Sequence, residues 1–199
     1  MTRTTSARLA RLTLAAAVAA VTLPAVAAGG TVQGKVEASP LKYLEDTVVY
    51  VKEVKGAFAP RAVSLDQRNM RFVPHLAVIT VGDTVKFQNH DNVGHNVYSP
   101  DGEGYELGTF NQDEERTHTF SRPGAYAQLC RIHPEMLGYV FVGQNPYAAA
   151  VDRKGAYRID DVPPGTYELA VWNAKLTAPA QRVTVTDGGT VVQDFALHR

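Results

Sequence analysis

Cysteine is almost missing from this chain: Cys130 is the only one in 199 residues. No disulfide can therefore close within the chain, and a zinc site built on paired C-x-x-C motifs is excluded. Methionine is scarce too, with three in all, so Met70 and Met136 are the only thioethers beyond the initiator. After the first 27 residues no apolar run approaches transmembrane length, and no stretch shows the 3.6-residue period of an amphipathic helix. Neither sign of charge dominates, with 20 basic and 20 acidic residues. G-x-S-x-G and P-loop signatures are absent, and the glycines fall in turn-type dipeptides. These absences argue against a hydrolase, a nucleotide-binding enzyme and a helical bundle.

The first 27 residues differ from the rest. Arg3, Arg8 and Arg11 precede an apolar run from Leu12 to Leu23, and Ala25-Val26-Ala27 supplies a small-x-small cleavage site. That order predicts a cleaved secretory leader over residues 1–27 and a periplasmic mature protein, since the run is short for a membrane anchor. Without the leader, 17 basic residues face 20 acidic ones. This mildly acidic balance argues against nucleic acid as a partner. In an oxidising compartment the odd thiol of Cys130 either pairs with another chain, sits inert in a core or binds metal.

Short β-rich runs separated by Gly, Pro, Asn and Asp clusters predict an all-β chain. The expected strands are 31–37, 47–54, 69–73, 76–81, 84–89, 95–98, 116–121, 124–129, 138–142, 147–151, 155–159, 165–172, 180–186 and 190–197. Residues 57–144 form a self-contained block. Residues 145–199 hold about four strands, few for an independent sandwich, and 29–56 adds two. The economical arrangement joins 29–56 and 145–199 into one small split sandwich, with 57–144 inserted.

The segment "VDRKGAYRIDDVPPGTYELAVW", Val151 to Trp172, has a D-x-x-G-x-Y hairpin followed by a V-P-P-G-T-Y turn. It resembles carboxypeptidase regulatory-like (transthyretin-like) domains. "GTVQGKVEASPLKYLEDTVVYV", Gly30 to Val51, resembles the opening two strands of the same family.

The chemistry concentrates in Cys130-Arg131-Ile132-His133-Pro134-Glu135-Met136, where a thiol, an imidazole and a thioether follow at three-residue intervals. The strand ending at Leu129 runs directly into this loop. One further imidazole would complete a set of two histidines and one cysteine with a weak axial methionine, an arrangement that suits copper; structural zinc rarely uses a thioether. The alternative is that Cys130 and Met136 are core side chains and His133 lies on the surface. Upstream, "VGDTVKFQNHDNVGHNVYS", Val81 to Ser99, combines a Gly-Asp turn, an alternating strand and His95-Asn96-Val97. Together with Gly124-x-Tyr126-x-x-x-Cys130, these residues resemble the cupredoxins of the plastocyanin and amicyanin family, over roughly residues 66–143. The C-x-x-H-x-x-M spacing resembles the short, amicyanin-like loop.

The resemblance implies a Greek-key cupredoxin sandwich and one copper ion cycling between Cu(I) and Cu(II). It assigns His95, Cys130 and His133 as equatorial ligands and Met136 as the axial one. It also assigns Asn96 to pinning the ligand loop and Gly94 to a long carbonyl contact. Met70, Val93, Pro134 and Leu137 are expected to form an apolar docking patch around the edge of His133, unless they are simply buried. Four protein ligands leave no position for a substrate, which favours an electron carrier over an enzyme. The acidic residues Asp101, Glu103, Glu106, Asp113, Glu114 and Glu115 read as a solvated loop, or as a surface steering a basic redox partner such as a cytochrome or dehydrogenase. His90 is expected at the surface, His75 at the junction of the two modules, His118 on an outward strand position and His198 in the tail. Two other functions share these features: periplasmic copper storage or delivery, disfavoured by the few methionines, and a metal-free envelope binding module.

Overall fold

The computed structural model describes residues 28–199, so the predicted leader lies outside the described residues. Seventeen strands carry the described chain. They are β1 (Gly30–Ala38), β2 (Thr47–Val51), β3 (Ala62–Gln67), β4 (Phe72–Val73), β5 (Leu76–Thr80), β6 (Thr84–Asn89), β7 (His95–Ser99), β8 (Tyr105–Phe110) and β9 (Glu115–Thr119). After these come β10 (Gly124–Leu129), β11 (Leu137–Gly143), β12 (Ala148–Ala150), β13 (Ala156–Val162), β14 (Gly165–Asn173), β15 (Gln181–Val185), β16 (Thr190–Val192) and β17 (Phe195–Leu197). Among the described residues one short 3-10 helix, Leu41–Asp46, interrupts them.

The middle of the chain folds as a Greek-key sandwich. One sheet runs β5-β11-β10-β7-β8 and the facing sheet β4-β3-β6-β9. Alternation sends one face of each strand inward: Val85, Phe87 and Asn89 from β6, and Tyr126 and Gln128 from β10. Leu65, Phe72, Ile79, Phe87, Phe110, Phe120, Tyr126 and Val140 fill the space between the sheets, and Cys130 and Met136 belong to the same cluster. Burying one side chain of the Phe87 class is worth about 1.5–3 kcal/mol.

β1, β2 and β12 to β17 make the second sandwich, from sheets β13-β1-β16, with β17 also on β1, and β12-β2-β14-β15. Val32, Val49, Val51, Ile159, Leu169 and Phe195 are among its core residues. The middle sandwich is therefore an insertion between β2 and β12. Those two strands pair antiparallel, Tyr50 opposite Ala148, so the points where the chain leaves and returns are neighbours. The buried Asn145 amide ties them, donating to the carbonyl of Val51 at 2.9 Å. An insertion whose ends meet leaves the host pairing undisturbed, and the entropy of closing a longer loop grows only slowly with its length.

β11 joins the two sandwiches. All its residues except Leu137 are buried, as expected of a strand covered on both faces. Val140 and Val142 face the inserted core. Tyr139 and Phe141 meet Trp172 at 5.4 and 5.9 Å between ring centroids, and Phe141 meets Tyr50 at 4.9 Å. Beside them His75 Nε2 lies 2.8 Å from Asp46 Oδ1, an ion pair across the junction.

Several expected elements change. The stretch 62–67 is a strand that the turn-rich context hid, and so is 105–110, which lies within the acidic stretch expected to be a solvated loop. The strand expected over 69–73 shrinks to Phe72–Val73, because residues 68–71 make a tight turn. Asn69 and Met70 both adopt positive φ there (52° and 54°), the geometry that a two-residue hairpin between right-twisted strands demands. The strand expected over 190–197 divides into β16 and β17.

The His75–Asp46 contact makes stability depend on pH. The hydrogen bond that His75 donates to Asp46 raises the His75 pKa above its ordinary 6.5, with burial opposing. A raised pKa in the folded state stabilises fully below the unfolded value, and that stability fades as pH rises through the folded value. Asp46→Asn is expected to lower the melting temperature more at pH 6 than at pH 9; equal losses at both would show that the pair carries no such linkage.

Candidate metal centre

The site forms where two segments about 35 residues apart meet. β10 delivers Cys130 at its end, and β7 begins with His95. The two strands pair through Leu129 opposite Tyr98, which sets His95 and Asn96 beside the loop that follows Cys130. Met136 N–H donates to the carbonyl of His133 at 3.0 Å and closes the loop into a turn.

His95 Nδ1 lies 3.0 Å from His133 Nδ1, and His133 Nδ1 lies 4.0 Å from Cys130 Sγ. The three ligand atoms fall within 4.8 Å of one another. His95 and Cys130 are buried and His133 is half-buried, so the cluster opens outward only along the His133 side. Met136 is buried, packed in the same core as Cys130.

His95 is held from behind. Its Nε2 lies 2.8 Å from Asp91 Oδ2. An ionised carboxylate only accepts, so Nε2 carries the proton and Nδ1 turns a lone pair toward Cys130 and His133. Asp91 also accepts from the backbone N–H of Asn69 at 2.6 Å and of Met70 at 2.8 Å. Burial alone would push the Asp91 carboxyl up; the donors Met70 N–H, His95 and Asn69 N–H outweigh it and hold the carboxyl below its ordinary 3.8. One carboxylate thereby orients the His95 imidazole and steadies a left-handed turn whose backbone costs about 1–2 kcal/mol per non-glycine residue.

Asn96 stands between the two segments. Its backbone N–H points at Cys130 Sγ at 3.4 Å, and its side-chain oxygen accepts from Arg131 N–H at 3.4 Å. Gly94 lies just before β7, where a Cβ would find its nearest atom, on Thr109, at an ordinary 3.5 Å. Packing therefore does not require glycine there.

The four expected patch residues, Met70, Val93, Pro134 and Leu137, are all exposed rather than buried. Ile132 and Val73 extend them. Of the seven large apolar side chains most exposed among the described residues, Met70, Val73, Val93, Ile132 and Leu137 lie on segments around the ligand loop. Val73 and Leu137 line one cleft with Met136, Glu45 and Arg153, the last two contributed by the second sandwich.

The remaining histidines stand apart from the cluster. His90 pairs with Asp66 at 2.7 Å, and His198 lies in an exposed terminal bridge. His118 is not outward-looking: it stacks on Tyr105 at 4.0 Å between ring centroids and contacts Glu103 at 3.2 Å. Within the acidic stretch Asp113, Glu114 and Glu115 are exposed, whereas the first three acids are engaged. Asp101 accepts from Ala127 N–H at 2.8 Å, Glu103 binds Ser121, and Glu106 binds Arg131 at 2.6 Å.

Asp91 and Glu106 were not among the expected site residues. Asp91 had a readable signal, an acid four residues before His95 in the same loop. Glu106 had none, because only the pairing of β8 with β7 brings it near.

Residues 59–143 match the family model of copper binding proteins of the plastocyanin/azurin family. Residues 141–193 match that of polysaccharide lyase family 4, domain II, so the match there is to a family other than the carboxypeptidase regulatory-like one. No curated protein matches the chain. Among solved structures, a reduced amicyanin variant is 28% identical over 41% of this chain and 81% of its own, with a TM-score of 0.39. A reduced Cu(I) amicyanin variant at pH 4 is 29% identical over the same shares, also at 0.39. An oxidised amicyanin variant is 26% identical over 40% and 80%, at 0.38.

The Asp91 contact predicts one tautomer. Nitrogen-15 NMR of metal-free protein is expected to report His95 as the Nε2–H form, and Asp91→Ala to populate both forms. A mixed tautomer in the parent protein would remove Asp91 from this role.

Proposed function

We propose that the inserted sandwich, a cupredoxin domain, serves as a periplasmic type 1 copper site for single-electron transfer, with His95, Cys130, His133 and Met136 as ligands. The observation that carries this reading is the convergence of two imidazole nitrogens and one thiol sulfur within 4.8 Å in a mostly buried position. Two nitrogens, a thiolate and a thioether form the soft, mixed donor set that suits copper. A copper ion held there supplies one-electron chemistry between Cu(II) and Cu(I).

The residues around it keep the ligands still and dry. Asp91 orients His95, Asn96 N–H holds Cys130 Sγ in place, and the sandwich core excludes water from both. Little rearrangement is then needed when the charge changes. His133 is the ligand nearest solvent, and the apolar side chains of Met70, Val93, Ile132, Pro134 and Leu137 surround its segment. A small apolar surface of this kind suits a brief contact with a redox partner protein. The domain reading that accompanies this takes 57–144 as the copper module and 29–56 with 145–199 as a split sandwich that supports it. Export follows from the leader-like residues 1–27, and among the described residues no helix is long and apolar enough to cross a membrane.

Copper storage or delivery fits less well, because a site that exchanges its ion needs access. Here His95 and Cys130 are buried, at 0% and 3% relative exposure.

Purified protein given one equivalent of Cu(II) is expected to develop an intense visible thiolate-to-copper band, and Cys130→Ala to lose it. A parent protein without the band, or a band that survives in Cys130→Ala, would overturn the assignment.

A further inference from the structure

Glu106 lies 24 residues before Cys130 and belongs to neither ligand motif, yet its carboxylate engages both segments that build the site. One oxygen accepts from the side-chain N–H of Asn96 and from Gly108 N–H at 3.3 Å; the other accepts from Arg131 Nε at 2.6 Å. Arg131 follows Cys130 directly, and its guanidinium also lies 4.2 Å from the centre of the Tyr98 ring. Glu106 reaches this position through β8, whose register against β7 shifts between Asn96 and Tyr98, so that Glu106 stands opposite Tyr98.

The chemistry of the amide makes this contact consequential. Asn96 has one donor end and one acceptor end. A carboxylate can only accept, so Glu106 holds the NH2 end and the oxygen must face Arg131 N–H. That orientation keeps Asn96 bonded to the start of the ligand loop while its backbone N–H points at Cys130 Sγ. With Glu106 removed, the amide can turn over and present NH2 to the N–H of Arg131, which breaks the bond. Arg131 would lose its side-chain anchor at the same time.

We infer that Glu106 is a positioning residue for the copper site, one that fixes the Asn96 amide and Arg131 and, through them, the start of the loop that carries Cys130. The inference rests on the copper reading given above. It assigns a structural task to an acidic residue that sequence patterning leaves in a solvated loop.

The test compares the parent protein with Glu106→Ala, Glu106→Gln and Asn96→Ala, each loaded with Cu(II). The readouts are the visible charge-transfer band, the reduction potential and the rate of copper loss to a chelator. Outer-shell partners typically change metal affinity about 10- to 100-fold, and Glu106→Ala is expected to speed copper loss within that range. Its potential is expected to rise, because removing a negative charge near the site favours Cu(I). Glu106→Gln, which keeps one acceptor for Asn96 and removes the charge, should raise the potential with a smaller change in release. Glu106→Ala combined with Asn96→Ala should be no worse than the more damaging single change, as expected when two residues act through one bond.

Hydrogen exchange on metal-free protein separates this inference from the copper reading. Protection of the Arg131 amide is expected to fall in Glu106→Ala whether or not copper binds. Unchanged protection together with unchanged release and potential would overturn the positioning role even in a parent protein with a full visible band. A parent protein that shows no band would instead overturn the copper reading, and this assignment with it. If Glu106→Ala does not fold, Glu106→Gln decides: a reduction potential and a rate of copper loss both equal to the parent's would overturn the inference.

Discussion

The site depends on one close approach, that of β7 to the end of β10. Leu129 pairs with Tyr98, and immediately beyond that pairing the N–H of Asn96 meets the sulfur of Cys130 at 3.4 Å. Everything with chemical capacity hangs on this contact. His95 enters the cluster because it precedes Asn96, and His133 because the loop after Cys130 turns back over it. The same backbone contact fixes where the sulfur sits, because Cys130 lies at the end of β10 and Asn96 near the start of β7.

Two carboxylates extend this contact into the surrounding fold. Asp91 works on the His95 imidazole and on the exposed turn that carries Met70. Glu106 works on the amide behind the sulfur and on the first residue of the ligand loop. Each accepts three hydrogen bonds, and in each those donors overcome the effect of burial and hold the carboxyl below its ordinary value. These two carboxylates are therefore paired and fixed, and Ile132, Pro134, Glu135 and Leu137 beside His133 face solvent.

The second sandwich acts through β11. That strand follows Met136 directly and is buried on both faces, one by the inserted core and one by Trp172 and Tyr50. The ligand loop is thus anchored at its far end by a strand that both sandwiches cover. The cleft beside Met136 and Leu137 is lined by Glu45 and Arg153 as well, so the host sandwich also borders the surface next to the site.

The proximity of His95, Cys130 and His133 was legible as an expectation because they reside in two contiguous motifs, His95-Asn96-Val97 and Cys130 to Met136, each lying at a strand end. The all-β class was legible from turn residues and period-two patterning, and the split host sandwich from having too few strands on either side of the insert. Tertiary structure alone decided the rest. The strand 105–110 escaped notice because Gly102, Gly104 and Gly108 punctuate it like a loop, and its pairing with β7 is a long-range register that no local pattern encodes. Glu106 became a site neighbour only through that register. Met70 became an exposed knuckle only because a two-residue turn between β3 and β4 forces it into a left-handed conformation. Which residues bear the chemistry is a property of local motifs; which residues hold them in place depends on strand pairings between distant segments.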